Sequence, residues 1–568
     1  MFKSSSLIVL LLFFGSLFNT GFSQSFDLVI YGGTSAGVAA AIQSSRMGKS
    51  VILIEPSGHV GGLTTGGLGA TDIGNKQAVG GISREFYQNI KAYYDNPDNW
   101  KWQERSGYFN RPNEGRSKEG EDAMWTFEPS AAKVVYQKMM AAENITLVTE
   151  KRLDRSNGVE LQNNRITSIS MESGEIYRGK MFMDATYEGD LLAAAGVSYM
   201  VGREDNSEFG ETLNGVQANF YNITLKNSVS RNGVHHNFIP RVDPYVEKGN
   251  PSSGLLPFII EGGPGIDGTA DDKLQAYCFR MTLTDHPENR IPFEKPENYK
   301  EIEYELLFRN YEAATGPLDK MYHYGDPLVP WINTPMPNRK TDTNNQKGFS
   351  TDFIGQNFDY PEASYEEREA IAKRHLEYQQ GLMWTLAYHP RIPQKVREVV
   401  SKWGMAKDEF SDREGWTPQL YVREARRMRS EYVVTQRDCE RLEPPVGDVV
   451  GLAAYGMDSH MVERYVDHNG YVQNEGNFEA RVEAPYPIPY RSIVPKKEEA
   501  ENLLVPVCVS ATHVAFGSIR MEPVFMVLGQ SAATAAALAI DQNVAVQDLD
   551  YQLLQAKLKA DQQILEHQ

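Results

Sequence analysis

Apolar and polar positions recur on two different periods along this chain, and the changes of period mark its organisation. Phe26 to Tyr31 is a short apolar run, followed by a small-residue helix from about Ser35 to Met47 and a second apolar run, SVILIEP, at 50–56. The stretch FEPSAAKVVYQKMMAAENITLVTE (127–150) predicts a helix opening near Pro129 and a strand ending at Glu150. Proline suits the first helical turn because its missing N–H has no partner there anyway. Strand, helix, strand, helix, strand is the order of a parallel sheet with crossover helices. From Lys151 to Tyr187 the pattern shortens to alternating strands, with turn signals at Asn157–Gly158 and Ser173–Gly174, which predicts an antiparallel meander.

Residues 201–480 carry long Gly/Pro/Asn-rich loops and predict two amphipathic helices, near 363–387 and 418–434. NLLVPVCV (502–509) and EPVFMVLGQSAATAAALAI (522–540) then return to the strand and helix style of the first region. The expected fold class is α/β. It has a Rossmann-like nucleotide-binding domain, with a parallel sheet and the meander, interrupted by a large inserted mixed α+β substrate domain. The boundaries expected are 24–200, 201–480 and 481–568.

Residues 1–23 place Lys3 before an apolar run from Leu7 to Phe14, with Gly21 and Ser23 near the end. That is the layout of a cleaved secretory signal and predicts a secreted or periplasmic protein. The run is shorter than the roughly 20 residues of a membrane span, and no transmembrane segment is expected in the mature chain. At 568 residues, 41% hydrophobic and 23% charged, the chain is long enough for a large core. A formal charge of −18 argues against nucleic acid as a partner, whose phosphates need a basic face. Cys278, Cys439 and Cys508 are widely spaced and suggest buried apolar positions, with neither a disulfide framework nor a metal site.

The candidate chemistry begins at LVIYGGTSAGVAAA (28–41). Gly32, Gly33 and Gly37 stand at a strand-to-helix turn whose backbone amides suit a pyrophosphate. Thr34 occupies the place of the fingerprint's middle glycine, and the expectation is that its hydroxyl donates to the pyrophosphate. Glu55 ends the second strand, 18 residues after Gly37, where it would accept from an adenosine ribose hydroxyl. The glycine-rich HVGGLTTGGLG (59–69) follows directly. A nicotinamide enzyme has no need of such a loop there. A flavin enzyme does, because the chain must cross close to the ribityl and ring portion, which favours FAD over NAD. MFMDATYEGDLLAAAG (181–196) and VLGQSAATAAALA (527–539) agree with that reading.

These motifs, with QAYCFRMTLT, PNRKTDTNN, STDFIGQNFDYP, DEFSDREGWTPQLYVREARRM, PYPIPYRSIVPK and SATHVAFGSIRMEP, resemble the FAD-dependent oxidoreductases of the glutathione-reductase-like, two-dinucleotide-binding superfamily. Within it the chain is similar to a bacterial group labelled FAD-dependent oxidoreductases or xanthan lyases, over nearly the whole mature length. The resemblance implies FAD as cofactor. It implies Gly32, Gly33, Gly37, Glu55, Gly62, Gly189, Asp190, Gly529 and Gln530 as its contacts, to which Thr34, Ser35, Ala36 and Gly61 are added as neighbours. Ala533 stands where the wider superfamily has glycine in the late helix, and alanine fits if the backbone there is ordinary helix.

A flavin enzyme oxidising an alcohol needs a base for the hydroxyl proton, and histidine fits best near neutral pH. Of 11 histidines, His513, between the last strand and the late helix, is expected to face the flavin; His460 and His375 are the other candidates. Arg520 would bind a substrate carboxylate or the reduced flavin, or else pair with Glu522. Arg423, Arg426 and Arg427 would share one helical face, as a carboxylate patch or a solvated face paired with Glu424 and Glu431. Asn338, Lys340, Asp342, Asn344 and Asn345 offer polar groups for sugar hydroxyls. The function expected is an exported FAD-dependent oxidoreductase that oxidises a carbohydrate or related polyhydroxylated compound, a small molecule or an oligosaccharide, by hydride transfer to flavin, with an electron acceptor that the sequence leaves open. A lyase on acidic polysaccharide and a fumarate-reductase-like alkene reductase are the alternatives.

Overall fold

The computed structural model describes residues 23–110, 116–218, 229–231, 236–314 and 331–567. The export signal expected at 1–23 therefore lies, apart from its last residue, outside the described residues.

The chain opens with β1 (Ser23–Tyr31), α1 (Ser35–Arg46), β2 (Val51–Ile54), α2 (Gly81–Asp95), α3 (Pro129–Ala141) and β3 (Ile145–Val148). It continues with β4 (Val159–Gln162), β5 (Arg165–Ser170), β6 (Ile176–Asp184) and the short α4 (Asp190–Ala194). The sheet order is β3-β2-β1-β6-β5-β4. β1 runs parallel to both β2 and β6, with Leu28 opposite Val51 on one side and Met181 on the other. Every residue of β2 is buried, as in a strand covered on both faces. β4 and β5 are the expected meander, and β5 pairs antiparallel with the first half of β6. Their hairpin turns at Asn163 and Asn164, both with positive φ (49° and 60°), a conformation that asparagine tolerates.

A second, antiparallel sheet is built from β7 (Met281–Thr284), β8 (Arg290–Ile291), β9 (Trp331–Met336), β10 (Lys340–Asn345) and, after α5 (Tyr365–Tyr388), β11 (Gly404–Ala406). Its order is β8-β11-β7-β10-β9. α5 matches the helix expected at 363–387, opened by a capping box between Ser364 and Glu367. The helix expected at 418–434 does not form. That stretch is extended, because its arginines each reach a different buried acid: Arg423 to Asp352, Arg426 to Asp190 and Arg427 to Glu204. The three arginines are neither a shared helical face nor solvated.

The chain then reaches β12 (Met457–Ser459), β13 (Leu503–Leu504), α6 (His513–Ile519) and α7 (Glu522–Gln542). β13 pairs parallel with the second half of β6 and so returns to the first sheet. Only two of the residues expected as strand at 502–509 take part. α7 is long and apolar enough to cross a membrane by length and composition, contrary to the expectation that no mature segment would be. It is buried in the core instead, against α1, where a Cβ on Gly529 would stand 2.2 Å from the Ala36 carbonyl oxygen. Ala533 sits in regular buried helix, so glycine is not needed there. All three cysteines are free and buried, as expected.

Candidate functional site

Strand β1 delivers the glycine turn to the amino end of α1. Gly32 has φ +108°, which favours glycine, and a Cβ on Gly37 would lie 2.0 Å from the Gly32 carbonyl oxygen. Thr34, at φ −67°, needs no glycine. Its Oγ1 donates to the Ala185 carbonyl at 2.7 Å and accepts from Gly37 N at 3.4 Å as the cap of α1. The hydroxyl proton expected to reach a pyrophosphate is thus given to β6's end. The Ser35 and Ala36 amides, at the start of α1, carry no hydrogen bond among the described residues.

A groove of about 240 Å³ runs past this turn, lined among others by Gly32, Thr34, Glu55, Gly62, Asp190 and Arg368. Glu55 Oε2 accepts from Gly33 N at 2.7 Å, and Oε1 accepts from Ser57 N at 2.7 Å and Ser57 Oγ at 2.6 Å. A carboxylate has about four acceptor positions, so one is left for a hydroxyl. Burial pushes the Glu55 carboxyl up to about 7, against the pull of these donors. Gly61 N donates to the Gly33 carbonyl at 2.7 Å, clamping the second glycine loop onto the turn. Gly62 has φ +54° and its Cβ would meet the Tyr187 hydroxyl at 2.2 Å. Several glycines of that loop are thus required by contacts within the protein: a Cβ on Gly69 would sit 2.2 Å from the Phe127 carbonyl.

Gly189 opens α4 at φ +71°, and Asp190 lines the groove. The Asp190 carboxylate is held by Arg368 at 2.7 Å, Arg426 at 3.0 Å and Arg155 at 3.3 Å. Burial raises its pKa, but these arginines outweigh it and hold the carboxyl below the usual range. Gly529 and Gln530 have packing roles. Gly529 lets α7 touch α1, and Gln530 Oε1 accepts from Ile82 N at 2.8 Å at the start of α2.

A second cavity, of about 650 Å³, includes Asp72, Arg116, Arg280, Tyr455, Asp458 and His460 in its lining. The loop carrying Gly62 in the groove wall reaches the cavity wall at Asp72. Met457 and Asp458 of β12 and His460 just after it line the cavity, while Ser459 does not. His460 Nδ1 lies 2.8 Å from Asp352 Oδ2, and Nε2 lies 3.5 Å from Asp458 Oδ2. Burial raises Asp458, but His460 and Arg520 more than offset it and hold the carboxyl near 2. Asp72, followed by burial and Asp458, keeps the Tyr455 phenol protonated well above its ordinary range.

His513 does not line either cavity. It is buried, with Nδ1 2.9 Å from both Glu424 carboxylate oxygens and Nε2 3.1 Å from Ser459 Oγ. Glu424, raised by burial but stabilised as an anion by His513, sits near 2. His375 is enclosed on α5, its Nδ1 2.8 Å from the Ile371 carbonyl, and burial pushes it down to about 4. Arg520 does not pair with Glu522. Its Nη2 donates to Asp458 O and Oδ2, both at 3.2 Å, while Glu522 accepts from Thr64 and Tyr187. Of the polar run 338–345, Asn344 and Asn345 line the cavity. Asn338 and Lys340 instead bind Glu128, and Asp342 binds Arg280.

Sequence reasoning missed Asp352, Asp458, Arg116, Arg280 and Tyr455. The one local signal was MDSH (457–460), in which an acid stands two residues before a histidine.

The groove suits a dinucleotide: Glu55 in its lining keeps an acceptor position for a ribose hydroxyl, and the start of α1, which follows the lining residue Thr34, has two unengaged amides for a diphosphate. Among solved structures, the chain is similar to the L-amino acid deaminase from Proteus vulgaris (14% identity, TM-score 0.22), over 32% of this chain and 53% of that one. It is also similar to OxyS anhydrotetracycline hydroxylase from Streptomyces rimosus (10% identity, TM-score 0.21), over 32% and 36%, and to Aquifex aeolicus GidA (16% identity, TM-score 0.21), over 32% and 34%. The matches thus span about a third to a half of those chains. No curated protein matches the sequence. The model of the family described as FAD dependent oxidoreductase matches residues 27–558, nearly the whole chain. The protein belongs to the FAD dependent oxidoreductase family, and its cofactor is FAD.

Proposed function

We propose that this flavoenzyme oxidises a hydroxyl group of a carbohydrate or related polyhydroxylated compound, with His460 as the proton acceptor. The observation that carries the reading is the His460 ring, set in the wall of a polar cavity with Asp352 at 2.8 Å on Nδ1. Oxidation of a carbinol to a carbonyl removes one hydride and one proton. FAD, when bound, supplies the two-electron acceptor for the hydride. The Ser35 and Ala36 amides at the start of α1, next to the groove, and Glu55 in its lining would hold its diphosphate and ribose. His460 Nε2 takes the hydroxyl proton, and Asp352 and Asp458 on either side stabilise the imidazolium so formed. Tyr455, Asn344 and Asn345 supply hydrogen bonds for further hydroxyls. The secretory layout of residues 1–23 supports an exported enzyme working on extracellular or periplasmic saccharide.

The test is an anaerobic titration of the yellow holoenzyme with neutral sugars, sugar acids and polyols, following the long-wavelength flavin band. Bleaching by a saccharide, with the carbonyl product recovered, supports the reading. Formation of unsaturated products without bleaching would show the lyase alternative instead.

A further inference from the structure

Two arginines that line the cavity are each anchored through part of the guanidinium and keep further donors without a partner among the described residues. Arg280 Nε and Nη2 donate to Asp342 Oδ1 at 2.7 Å and Oδ2 at 2.9 Å. The same Asp342 accepts from Ala70 N at 2.9 Å. At the carbonyl of the same residue, Arg116 Nη1 donates to Ala70 O at 2.5 Å and pairs with Asp72 at 3.0 Å. Both arginines are therefore tied to Ala70, Arg116 directly and Arg280 through Asp342, just past the second glycine loop. Arg280 Nη1 and Arg116 Nε and Nη2 have no hydrogen-bond partner among the described residues, although both side chains line the cavity. The Tyr421 ring lies 5.6 Å from the Arg280 guanidinium carbon and limits its swing.

We infer that the substrate carries a carboxylate, held by Arg116 and Arg280, so that the enzyme acts on hydroxy acids of the sugar-acid class. This rests on the hydroxyl-oxidation reading above. A guanidinium has donors only, and a sugar hydroxyl accepts through one atom while bringing a donor of its own. A carboxylate offers about four acceptor positions on two oxygens and satisfies two guanidinium groups together, with charge-assisted bonds. The local charge also discriminates among anions. Asp72 and Asp342 already balance Arg116 and Arg280, so a bound carboxylate adds one net negative charge beside Asp458 and a phosphate dianion adds two, which disfavours the dianion. The carboxylate end at Arg116 and Arg280 then leaves the remainder of the substrate to extend toward His460, in the same cavity wall.

The experiment uses holoenzyme under anaerobic conditions and matched probes: glucose with gluconate and glucuronate, galactose with galacturonate, and glucose 6-phosphate. Dissociation constants come from the perturbation of the flavin spectrum, and reduction from its bleaching. The sugar acids are expected to bind about ten- to a hundredfold more tightly than their neutral parents, the range for hydrogen bonds to charged groups. Arg116→Gln is expected to bring that ratio close to one, and Arg116→Lys to keep part of it. FAD content and thermal midpoint of both variants report folding separately from binding. Neutral sugars or the phosphate ester binding as tightly as the acids would overturn the inference, as would an acid-to-neutral ratio untouched by Arg116→Gln. Arg116-dependent binding of the acids without bleaching by any probe would leave the carboxylate site standing and reject hydroxyl oxidation. If no probe perturbs the flavin, both are rejected.

Discussion

Asp352 joins His460 to Arg423: its Oδ2 lies 2.8 Å from His460 Nδ1, and its Oδ1 lies 2.6 Å from Arg423 Nη2. All three come from segments far apart in the chain. The arginine fixes the carboxylate, and the carboxylate fixes the imidazole orientation, setting Nε2 in the cavity wall 3.5 Å from Asp458 Oδ2.

Replacing Asp352 by asparagine removes the charge that stabilises the imidazolium and leaves Arg423 buried without its acid. The expected outcome is flavin reduction slowed about 10²-fold or more at neutral pH, with FAD still bound. Stopped-flow reduction, read alongside the absorbance ratio of flavin to protein, checks it. A rate within about threefold of the original enzyme would show that the orientation of His460 does not matter.

Thr34→Gly restores the familiar glycine pattern and is nevertheless expected to weaken the protein. It removes the bond to the Ala185 carbonyl and the cap on α1. A loss of about 1 kcal/mol in unfolding free energy, with no gain in FAD affinity, is the expected result. Denaturant unfolding of the apoprotein and FAD titration measure the two quantities, and tighter FAD binding would show that the threonine obstructs the site.

Glu55 makes stability depend on pH. Its carboxyl is raised by burial from the ordinary 4.5 to about 7, so between those values the folded chain holds a proton that the unfolded chain has lost. The sign is then fixed: this contribution destabilises progressively as pH rises from about 4.5 to 7 and is constant above that, by roughly 3 kcal/mol at the upper limit. Glu55→Gln should flatten that part of the apoprotein's stability profile and weaken FAD binding through the lost ribose acceptor. A profile unchanged by the substitution would place the Glu55 titration elsewhere.

Gly529→Ala tests the helix contact. The added methyl would press on the Ala36 carbonyl at 2.2 Å, forcing α7 away from α1. A loss of about 1–3 kcal/mol is expected, with weaker FAD retention as the start of α1 shifts. Thermal unfolding and FAD content would show it. Full retention of both would mean that the two helices have slack.

The glycine turn and Glu55 were legible because strand, turn, helix and strand are local, and their spacing is set by the chain itself. The meander, α3, α5 and α7 were legible for the same reason. The cavity was not, because Asp72, Arg116, Arg280, Asp352 and His460 come from separate segments that only tertiary packing brings together. Arg423, Arg426 and Arg427 misled through helical spacing, when buried acids elsewhere in the fold dictated an extended path. Gly529 allows the close approach of α7 to α1, and Gln530 Oε1 accepts from Ile82 N at the start of α2, contacts between helices that local sequence does not reveal. His513 lies next to the late helix in sequence but points to Glu424 and Ser459.

The most direct measurement is the anaerobic rate of flavin bleaching in His460→Gln holoenzyme, using the saccharide that reduces the original enzyme. Substrate-induced perturbation of the flavin spectrum should persist while bleaching slows by about 10²- to 10⁴-fold, the usual share of a general base. Bleaching at the original rate, with the same pH dependence, would contradict His460 as the proton acceptor.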